Sequence, residues 1–271
     1  MRLMSIASGS SGNCIYAGYE STNLLVDAGI SAKRIEEGLN SIGESLSNMD
    51  GILITHEHSD HINGLKTISK KHRLPLYATR GTIDGILKIN GMDIDPALFN
   101  EVKSDNEFTL KDMVIDPIRI SHDAAEPVCY RFYAYDGSSK ISGEASAAVC
   151  TDLGVFDDYI IDKLKGVSTL LLEANHDIRM LEVGPYPYFL KKRILGDKGH
   201  LSNDSAGELL SRLMEGSSLK NVLLGHLSKE NNYAALAYET VRMQLKMFGN
   251  GSEVSLGIAP RDIPGKLLVN E

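Results

Sequence analysis

The chain has 271 residues, of which 42% are hydrophobic and 24% are charged. This composition allows a large buried core and excludes a disordered or low-complexity protein. The 28 basic and 36 acidic side chains give a net charge of −8, which argues against a protein that coats nucleic acid, although a local basic groove remains compatible with it.

Apolar segments and cysteines indicate the compartment. No run approaches about 18 consecutive apolar residues, so we expect no transmembrane helix. Residues 1–13 lack a long apolar segment, so we expect no signal peptide. The three cysteines have no paired spacing and do not indicate a disulfide framework. We therefore expect a cytoplasmic protein without membrane contacts; no pattern assigns an oligomeric state.

The first part of the chain predicts a run of strands and then alternating strands and helices. Short apolar segments separated by turn residues predict antiparallel strands at 3–7, 14–19 and 23–26. Ser31 is a typical N-cap for a helix through Leu39. The elements that follow are a strand at 51–55, a helix at 62–71, a strand at 75–78 and a helix at 82–88.

The second part repeats this pattern and completes two sets of strands. The predicted elements are strands at 113–120, 127–135 and 145–151, a helix at 157–164, a strand at 169–174, a helix at 202–214, a strand at 221–224, a helix at 233–248 and a strand at 253–258. Two strand sets, each mixed with helices, pack most economically as an α/β fold of two mixed β-sheets face to face with helices outside both. No composition shift marks a boundary, so we expect a single domain over residues 1–271.

A histidine-rich motif directly follows the predicted strand 51–55. Residues 55–61 read Thr-His-Glu-His-Ser-Asp-His, a pattern that chance would give in about one chain in two thousand of this composition. In a tight loop, His56 and His58 can converge on one cation while Asp60 and His61 face a second. Imidazole and carboxylate ligands suit zinc, manganese or iron. The alternative is a histidine-rich surface loop without function.

Further candidate ligands follow other apolar strands, where loops gather at one edge of a sheet: Asp27, His122, Asp152 and His226. A lone aspartate after a strand is more often a turn or helix cap. Because two histidines occupy the same kind of position, we interpret these residues as completing the cluster.

In this order, the motifs resemble those of the metallo-β-lactamase superfamily. Asp27 matches the first motif, residues 56–61 the second, His122 the third, Asp152 the fourth and His226 the fifth. The closer similarity is to the WalJ/YycJ-like branch of bacterial metal-dependent hydrolases, and the segments that carry it are 7–13, 122–130, 151–154, 170–177, 184–194, 199–203 and 225–232.

The resemblance implies a four-layer αββα sandwich and two divalent metal ions. Each ion would have three ligands of its own: His56, His58 and His122 for one, and Asp60, His61 and His226 for the other. Asp152 would bridge the two ions, and Asp27 would orient a ligand histidine.

The resemblance also implies a reaction. The expected nucleophile is a hydroxide that bridges two metal ions, with Asp60 as the catalytic residue that orients it and accepts its proton. The branch is associated with phosphodiester hydrolysis, including exonuclease action on DNA, so the predicted function is a dinuclear phosphodiesterase or nuclease. One alternative is an acyl hydrolase acting on a small thioester, lactone or β-lactam. Another is an accessory protein without turnover, which seven intact ligands disfavour.

Spacing disfavours two groups of RNA-processing relatives. Asp152 and His226 are 74 residues apart, too close for the extra domain of the β-CASP nucleases. Residues 62–121 contain no long Gly/Pro-rich arm like that of transfer-RNA 3′-processing enzymes.

Other residues are candidates for contact with the phosphodiester substrate. Ser10 and Asn13 lie in a glycine- and hydroxyl-rich segment that could bind phosphate or form an ordinary tight turn. His200 could contact a phosphoryl oxygen or protonate a leaving alkoxide as a catalytic acid. His176 is a weaker candidate, for which a core histidine is the favoured interpretation. Arg193 ends the strongest basic run, residues 191–193, which could steer a phosphate backbone or be a solvated helix face.

Overall fold

The structure, a computed structural model, describes residues 1–215, 219–248 and 254–270, without the side chains of 142–144. Its strands are β1 (Arg2–Ala7), β2 (Cys14–Tyr19), β3 (Thr22–Val26), β4 (Gly51–Leu53), β5 (Leu76–Ala78), β6 (Phe99–Glu101), β7 (Phe108–Leu110), β8 (Met113–Arg119), β9 (Val128–Tyr135), β10 (Lys140–Cys150), β11 (Thr169–Glu173), β12 (Asn221–Gly225), β13 (Ser255–Ile258) and β14 (Leu268–Val269). Its α-helices are α1 (Ala32–Asn40), α2 (Ser59–Ile62), α3 (Leu65–His72), α4 (Arg80–Lys88), α5 (Asp158–Leu164), α6 (Ile178–Val183), α7 (Tyr188–Leu195), α8 (Asn203–Met214) and α9 (Ala234–Met247).

The strands form two seven-stranded mixed sheets. The first has the order β14-β1-β2-β3-β4-β5-β6 and the second has the order β13-β12-β11-β10-β9-β8-β7. As predicted, β1, β2 and β3 pair as antiparallel neighbours, and β3 to β6 then pair in parallel. In the second sheet β7 to β10 are antiparallel and β10 to β13 are parallel.

Alternating side chains divide the core into layers. On β1, Leu3 packs between the sheets, whereas Met4 and Ile6 face the helices on the outside of the first sheet. Val149 of β10 likewise faces the first sheet, while Cys150 packs towards the outer helices. This two-residue period is what a strand buried on both faces requires.

Helices cover both outer faces. Helices α1, α3 and α4 contribute Ile35, Leu65 and Ile83 to the cluster against the first sheet. Helices α5, α8 and α9 do the same for the second sheet, through residues such as Leu209 and Val241. The predicted αββα sandwich is therefore confirmed.

Several predicted boundaries differ from the structure. The helix predicted at 62–71 begins later, as α3 from Leu65, and Ile62 instead ends the separate short helix α2. At Gly64, between the two helices, a Cβ would overlap the carbonyl oxygen of Ile30. β10 begins at residue 140 rather than 145. The predicted final strand starts at residue 253, which lies outside the described residues, and β13 is observed from Ser255. The short strands β6, β7 and β14 and helix α6 lack long apolar periodicity and were not predicted.

Two further expectations concern cysteines and the membrane. All three cysteines are buried and free: Cys14, Cys129 and Cys150. Within the described ranges, no helix has the length and apolar character needed to span a membrane.

Candidate metal centre

The candidate ligands lie in loops that leave the strands of both sheets. Asp27 follows β3 and residues 56–61 follow β4 in the first sheet, while His122, Asp152 and His226 follow β8, β10 and β12 in the second. β8 and β10 are both antiparallel to β9, and β12 is parallel to β11, which is parallel to β10. These three strands of the second sheet therefore end at the same edge.

Three of these residues have left-handed backbone conformations. The φ angles are 61° for Asp27, 59° for Asp152 and 53° for His226. Such angles are uncommon for residues other than glycine, although aspartate and histidine adopt them more readily than most. They turn the chain sharply after each strand and direct the side chain into the cluster, and such strain concentrates at functional sites.

Three imidazole nitrogens converge at one end of the cluster. Nδ1 of His58 lies 3.1 Å from Nε2 of His56 and 3.2 Å from Nε2 of His122. Nδ1 of His122 faces the carbonyl oxygen of Gly199 at 3.1 Å, which it reaches as an N–H donor. A Zn–N bond of 2.0–2.1 Å in tetrahedral geometry separates ligand atoms by about 3.3 Å, so this spacing fits one cation.

A second group of ligand atoms converges at the other end. Oδ2 of Asp60 is 3.5 Å from Nε2 of His61 and 3.5 Å from Nε2 of His226. Asp152 lies between the two groups: its Oδ2 is 3.3 Å from His61 Nε2, and its Oδ1 is 3.6 Å from His226 Nε2 and 3.8 Å from His122 Nε2. Its carboxylate could therefore reach a cation in either group.

Asp27 and Thr55 contact the Nδ1 atoms of two histidines in the 56–61 loop. Oδ2 of Asp27 is 2.7 Å from Nδ1 of His61, and its Oδ1 accepts a hydrogen bond from the backbone N–H of Thr55 at 2.8 Å. The Thr55 hydroxyl lies 2.9 Å from Asp27 Oδ2 and 2.9 Å from His56 Nδ1. These contacts leave Nε2 of both histidines directed towards the cluster, as metal ligands require.

Burial and charge set the protonation states. Burial, together with the neighbouring His61, lowers the pKa of His56 well below its ordinary value, and burial also lowers that of His122. Burial would lower the pKa of His226 as well, but the Asp152 charge, the nearby Asp60 carboxylate and the hydrogen bond to Glu173 raise it to about 10. His56 and His122 are therefore held as neutral imidazoles, whereas the carboxylates around the second group favour positive charge on its histidines.

The donor set fits divalent cations. Oδ2 of Asp152 and Nε2 of His226 are buried and have no hydrogen-bond partner among the described residues. Buried polar atoms without a partner are costly, and a metal ion is one way in which they are satisfied. Four groups of residues place three or more potential ligand atoms within 4.8 Å of one another, and together they include all seven predicted ligands. The residues present therefore fit divalent metal binding.

His200 lies beside the cluster. Its Nδ1 is 2.8 Å from Oε1 of Glu173, its ring centroid is 5.2 Å from that of His122, and its side chain is 17% exposed. Burial lowers its pKa, but the charge and hydrogen bond of Glu173 outweigh burial and raise it. This arrangement favours a protonated imidazole with Nε2 left for another molecule.

Arg193 is linked to the exposed side of the cluster by an ion pair with Asp123, which lies near two of the histidines. Its guanidinium pairs with the Asp123 carboxylate, and Oδ1 of Asp123 is 3.5 Å from His122 Nε2 and 3.9 Å from His58 Nε2. Half of the Arg193 side chain remains exposed.

The other predicted substrate contacts lie in different environments. Ser10 is exposed in the turn after β1. Asn13 is buried, bonds to the backbone of Gly9 and places its Nδ2 3.1 Å from Nε2 of His61, so it contacts the cluster itself. His176 is 1% exposed, and burial lowers its pKa to about 4.

Glu173 is the contact that sequence reasoning missed. Its Oε1 lies 2.7 Å from Nδ1 of His226 and 2.8 Å from Nδ1 of His200. The sequence did contain a signal, since a charged residue ends the apolar strand β11, where it is fully buried. Buried carboxylates are rare unless they are paired.

Comparisons with known proteins agree with this geometry. A family model described as a β-lactamase superfamily domain matches residues 22–226. The exodeoxyribonuclease YycJ of Bacillus anthracis is 35% identical over 272 residues, covering 97% of this chain and 96% of that protein. The exodeoxyribonuclease WalJ of Streptococcus pneumoniae is 38% identical over 241 residues, covering 89% and 86%. The structure of unliganded yeast PDE1 matches with a TM-score of 0.71 at 15% identity over 99% of each chain, a likeness of fold alone.

Proposed function

The chain belongs to the metallo-β-lactamase superfamily and is a metal-dependent hydrolase, and from this premise we propose that it cleaves phosphodiester bonds at the ends of DNA. The single observation that carries the proposal is the convergence of seven candidate ligands from both sheets. Similarity to two curated exodeoxyribonucleases along most of their length supports DNA as the substrate class.

In this proposal the cluster binds two divalent cations. His56, His58 and His122 hold one, Asp60, His61 and His226 hold the other, and Asp152 contacts both. Bound there, the metal ions would activate water for attack and stabilise negative charge on the phosphoryl oxygens.

The protein's own residues orient the substrate and move protons. Asp60 lies at the edge of the second group, where its carboxylate can orient the attacking water and accept its proton. His200 is protonated through Glu173 and donates from Nε2 to the leaving alkoxide. Arg193 contacts the phosphate backbone next to the scissile bond.

The rim favours a phosphodiester over an acyl substrate. An acyl hydrolase needs an apolar slot for the acyl group, whereas the side chains that flank the cluster at its mouth are charged or imidazole: Asp123, Arg193 and His200. Of these, Arg193 and His200 can attract an anionic substrate.

A substrate panel tests the proposal. Protein reloaded with zinc, manganese or iron would be incubated with end-labelled single- and double-stranded DNA, RNA, bis(p-nitrophenyl) phosphate and a set of thioesters, lactones and β-lactams. We expect metal-dependent phosphodiester cleavage that His58→Ala abolishes and that His200→Ala reduces about 10²–10⁴-fold. His72→Ala, a histidine outside the cluster, is the matched control. Full activity of metal-free His58→Ala, or turnover of acyl substrates alone, would contradict the proposal.

A further inference from the structure

Helix α7 exposes two large aromatic side chains to solvent. Tyr188 is 73% exposed and Phe189 is 74% exposed, and Ile194 is the buried residue among the eight of this helix. A surface helix normally directs its apolar residues to the core. Aromatic side chains that instead face water in a contiguous patch indicate a binding surface.

The same segment is locally basic in an acidic protein. Residues 184–195 contain three basic residues and no acidic one, although the whole chain has a net charge of −8. Residues four apart lie on the same face of a helix, so Lys192 adjoins Tyr188 and Arg193 adjoins Phe189. Nζ of Lys192 lies 5.4 Å from the centroid of the Tyr188 ring. Each aromatic ring is therefore followed by a cation one turn further along.

The helix leads directly to the candidate metal centre. At its C-terminal end, Arg193 pairs with Asp123 beside His58 and His122. The backbone N–H of His200 also donates to the carbonyl oxygen of Ile194 at 3.0 Å. At a rise of about 1.5 Å per residue, Phe189 lies about 6 Å along the helix axis from Arg193.

We propose that α7 is a platform for an unpaired DNA end, in which Tyr188 and Phe189 stack on bases while Lys192 and Arg193 contact the backbone that leads to the metal centre. This inference rests on the proposed function and assigns the residues that hold the polymer. Proteins that bind single strands combine aromatic stacking with a cationic path in this way. Charge argues against a symmetric contact with a second copy, because such a contact would place the basic segment against itself.

The test replaces the aromatic faces but keeps the apolar bulk. The double variant Tyr188→Leu/Phe189→Leu of the full, metal-loaded chain would be titrated against a dye-labelled phosphorothioate oligothymidine, which resists hydrolysis. We expect binding at least about tenfold weaker, with Tyr188→Phe/Phe189→Tyr within about threefold of the unmodified protein. Phe248→Leu removes an exposed aromatic from the end of α9 and is the matched control.

A cleavage assay separates this inference from the proposed function. For an ordinary oligonucleotide, the kcat/KM of the Leu variant should fall by the same factor as its binding affinity. Its kcat/KM for bis(p-nitrophenyl) phosphate should not change, because that substrate is too short to reach the platform. Unchanged oligonucleotide binding by the Leu variant overturns the platform, whether or not the variant changes its oligomeric state. If the unmodified protein cleaves no phosphodiester, the proposed function fails, and the titration still decides the platform, because absence of oligonucleotide binding overturns it.

Discussion

Glu173 is a fully buried carboxylate that holds two histidines at once. Besides its contacts with His200 and His226, its Oε2 accepts hydrogen bonds from the backbone N–H groups of Leu153 and Leu201, each at 3.0 Å. Burial opposes its ionisation, but the charges and hydrogen bonds of the two histidines lower its pKa to about 2. An ionised Glu173 fixes Nδ1 of both rings as donors and leaves both Nε2 atoms for other partners.

Replacing this carboxylate should weaken metal binding while the fold persists. In Glu173→Gln, the amide keeps the side-chain volume but cannot accept from both Nδ1 donors and both backbone donors. We expect metal affinity on the His226 side to fall about 10–100-fold, as when outer contacts of ligand histidines are removed. Metal content after dialysis against graded chelator measures this. Asp116→Asn removes a buried carboxylate that pairs with Lys163 and serves as control. If Glu173→Gln kept as much metal as the unmodified protein at every chelator concentration, this role would be refuted.

At the scale of elements, the turn into α2 packs closely against the loops that follow β1 and β3, and backbone hydrogen bonds join them. The backbone N–H of Asn13 donates to the carbonyl oxygen of Asp60 at 2.8 Å, and that of Ala28 donates to the carbonyl oxygen of His61 at 2.8 Å. Gly29 approaches so closely that a Cβ would overlap the carbonyl oxygen of Asp60. The loops after β1 and β3 thus determine where Asp60 and His61 lie.

A single methyl group at Gly29 should therefore disturb the cluster. Gly29→Ala must displace the 58–61 turn, and overpacking of this kind costs about 1–3 kcal/mol. We expect lower stability in urea with chelator present, together with lost metal. Gly257→Ala is the comparison, since its methyl meets only the tip of the Leu223 side chain at 3.2 Å. An unchanged urea midpoint for the metal-free Gly29→Ala protein would show that the turn tolerates the methyl group.

At the scale of the whole molecule, the cluster joins the edges of two sheets. Its ligands come from loops of the first sheet, such as residues 56–61, and of the second, such as Asp152 and His226. A ligand that binds this assembled arrangement and not the unfolded chain stabilises the fold by mass action.

Metal removal should therefore lower the melting temperature. At a hundredfold excess over Kd, one bound ion adds about 2.7 kcal/mol. With about 2.1 cal/mol/K per residue over 271 residues, this corresponds to a Tm lower by about 5 °C after chelation, measured by calorimetry. His72→Ala should respond as the unmodified protein does, whereas His58→Ala should respond less. A chelator-insensitive Tm would contradict metal binding between the sheets.

Much of the architecture could be predicted because its signals are local. A short apolar segment between turn residues predicted β2 with its observed bounds, and Ser31 predicted the start of α1. Elements were missed where that signal is short, as in β6 and β14. The helix predicted from residue 62 begins at Leu65 because the chain before it, at Gly64, packs closely against Ile30, which is distant in sequence.

By itself, the sequence determined the two-sheet fold, the family and the candidate ligands, because strand periodicity and the 55–61 motif are readable from neighbouring residues. Only the tertiary structure decided that Asp152 lies between two ligand groups, that Glu173 holds His200 and His226, and that Tyr188 and Phe189 face solvent. These features arise only when segments that are distant in sequence pack together. No local pattern determines the distance between atoms that lie dozens of residues apart along the chain.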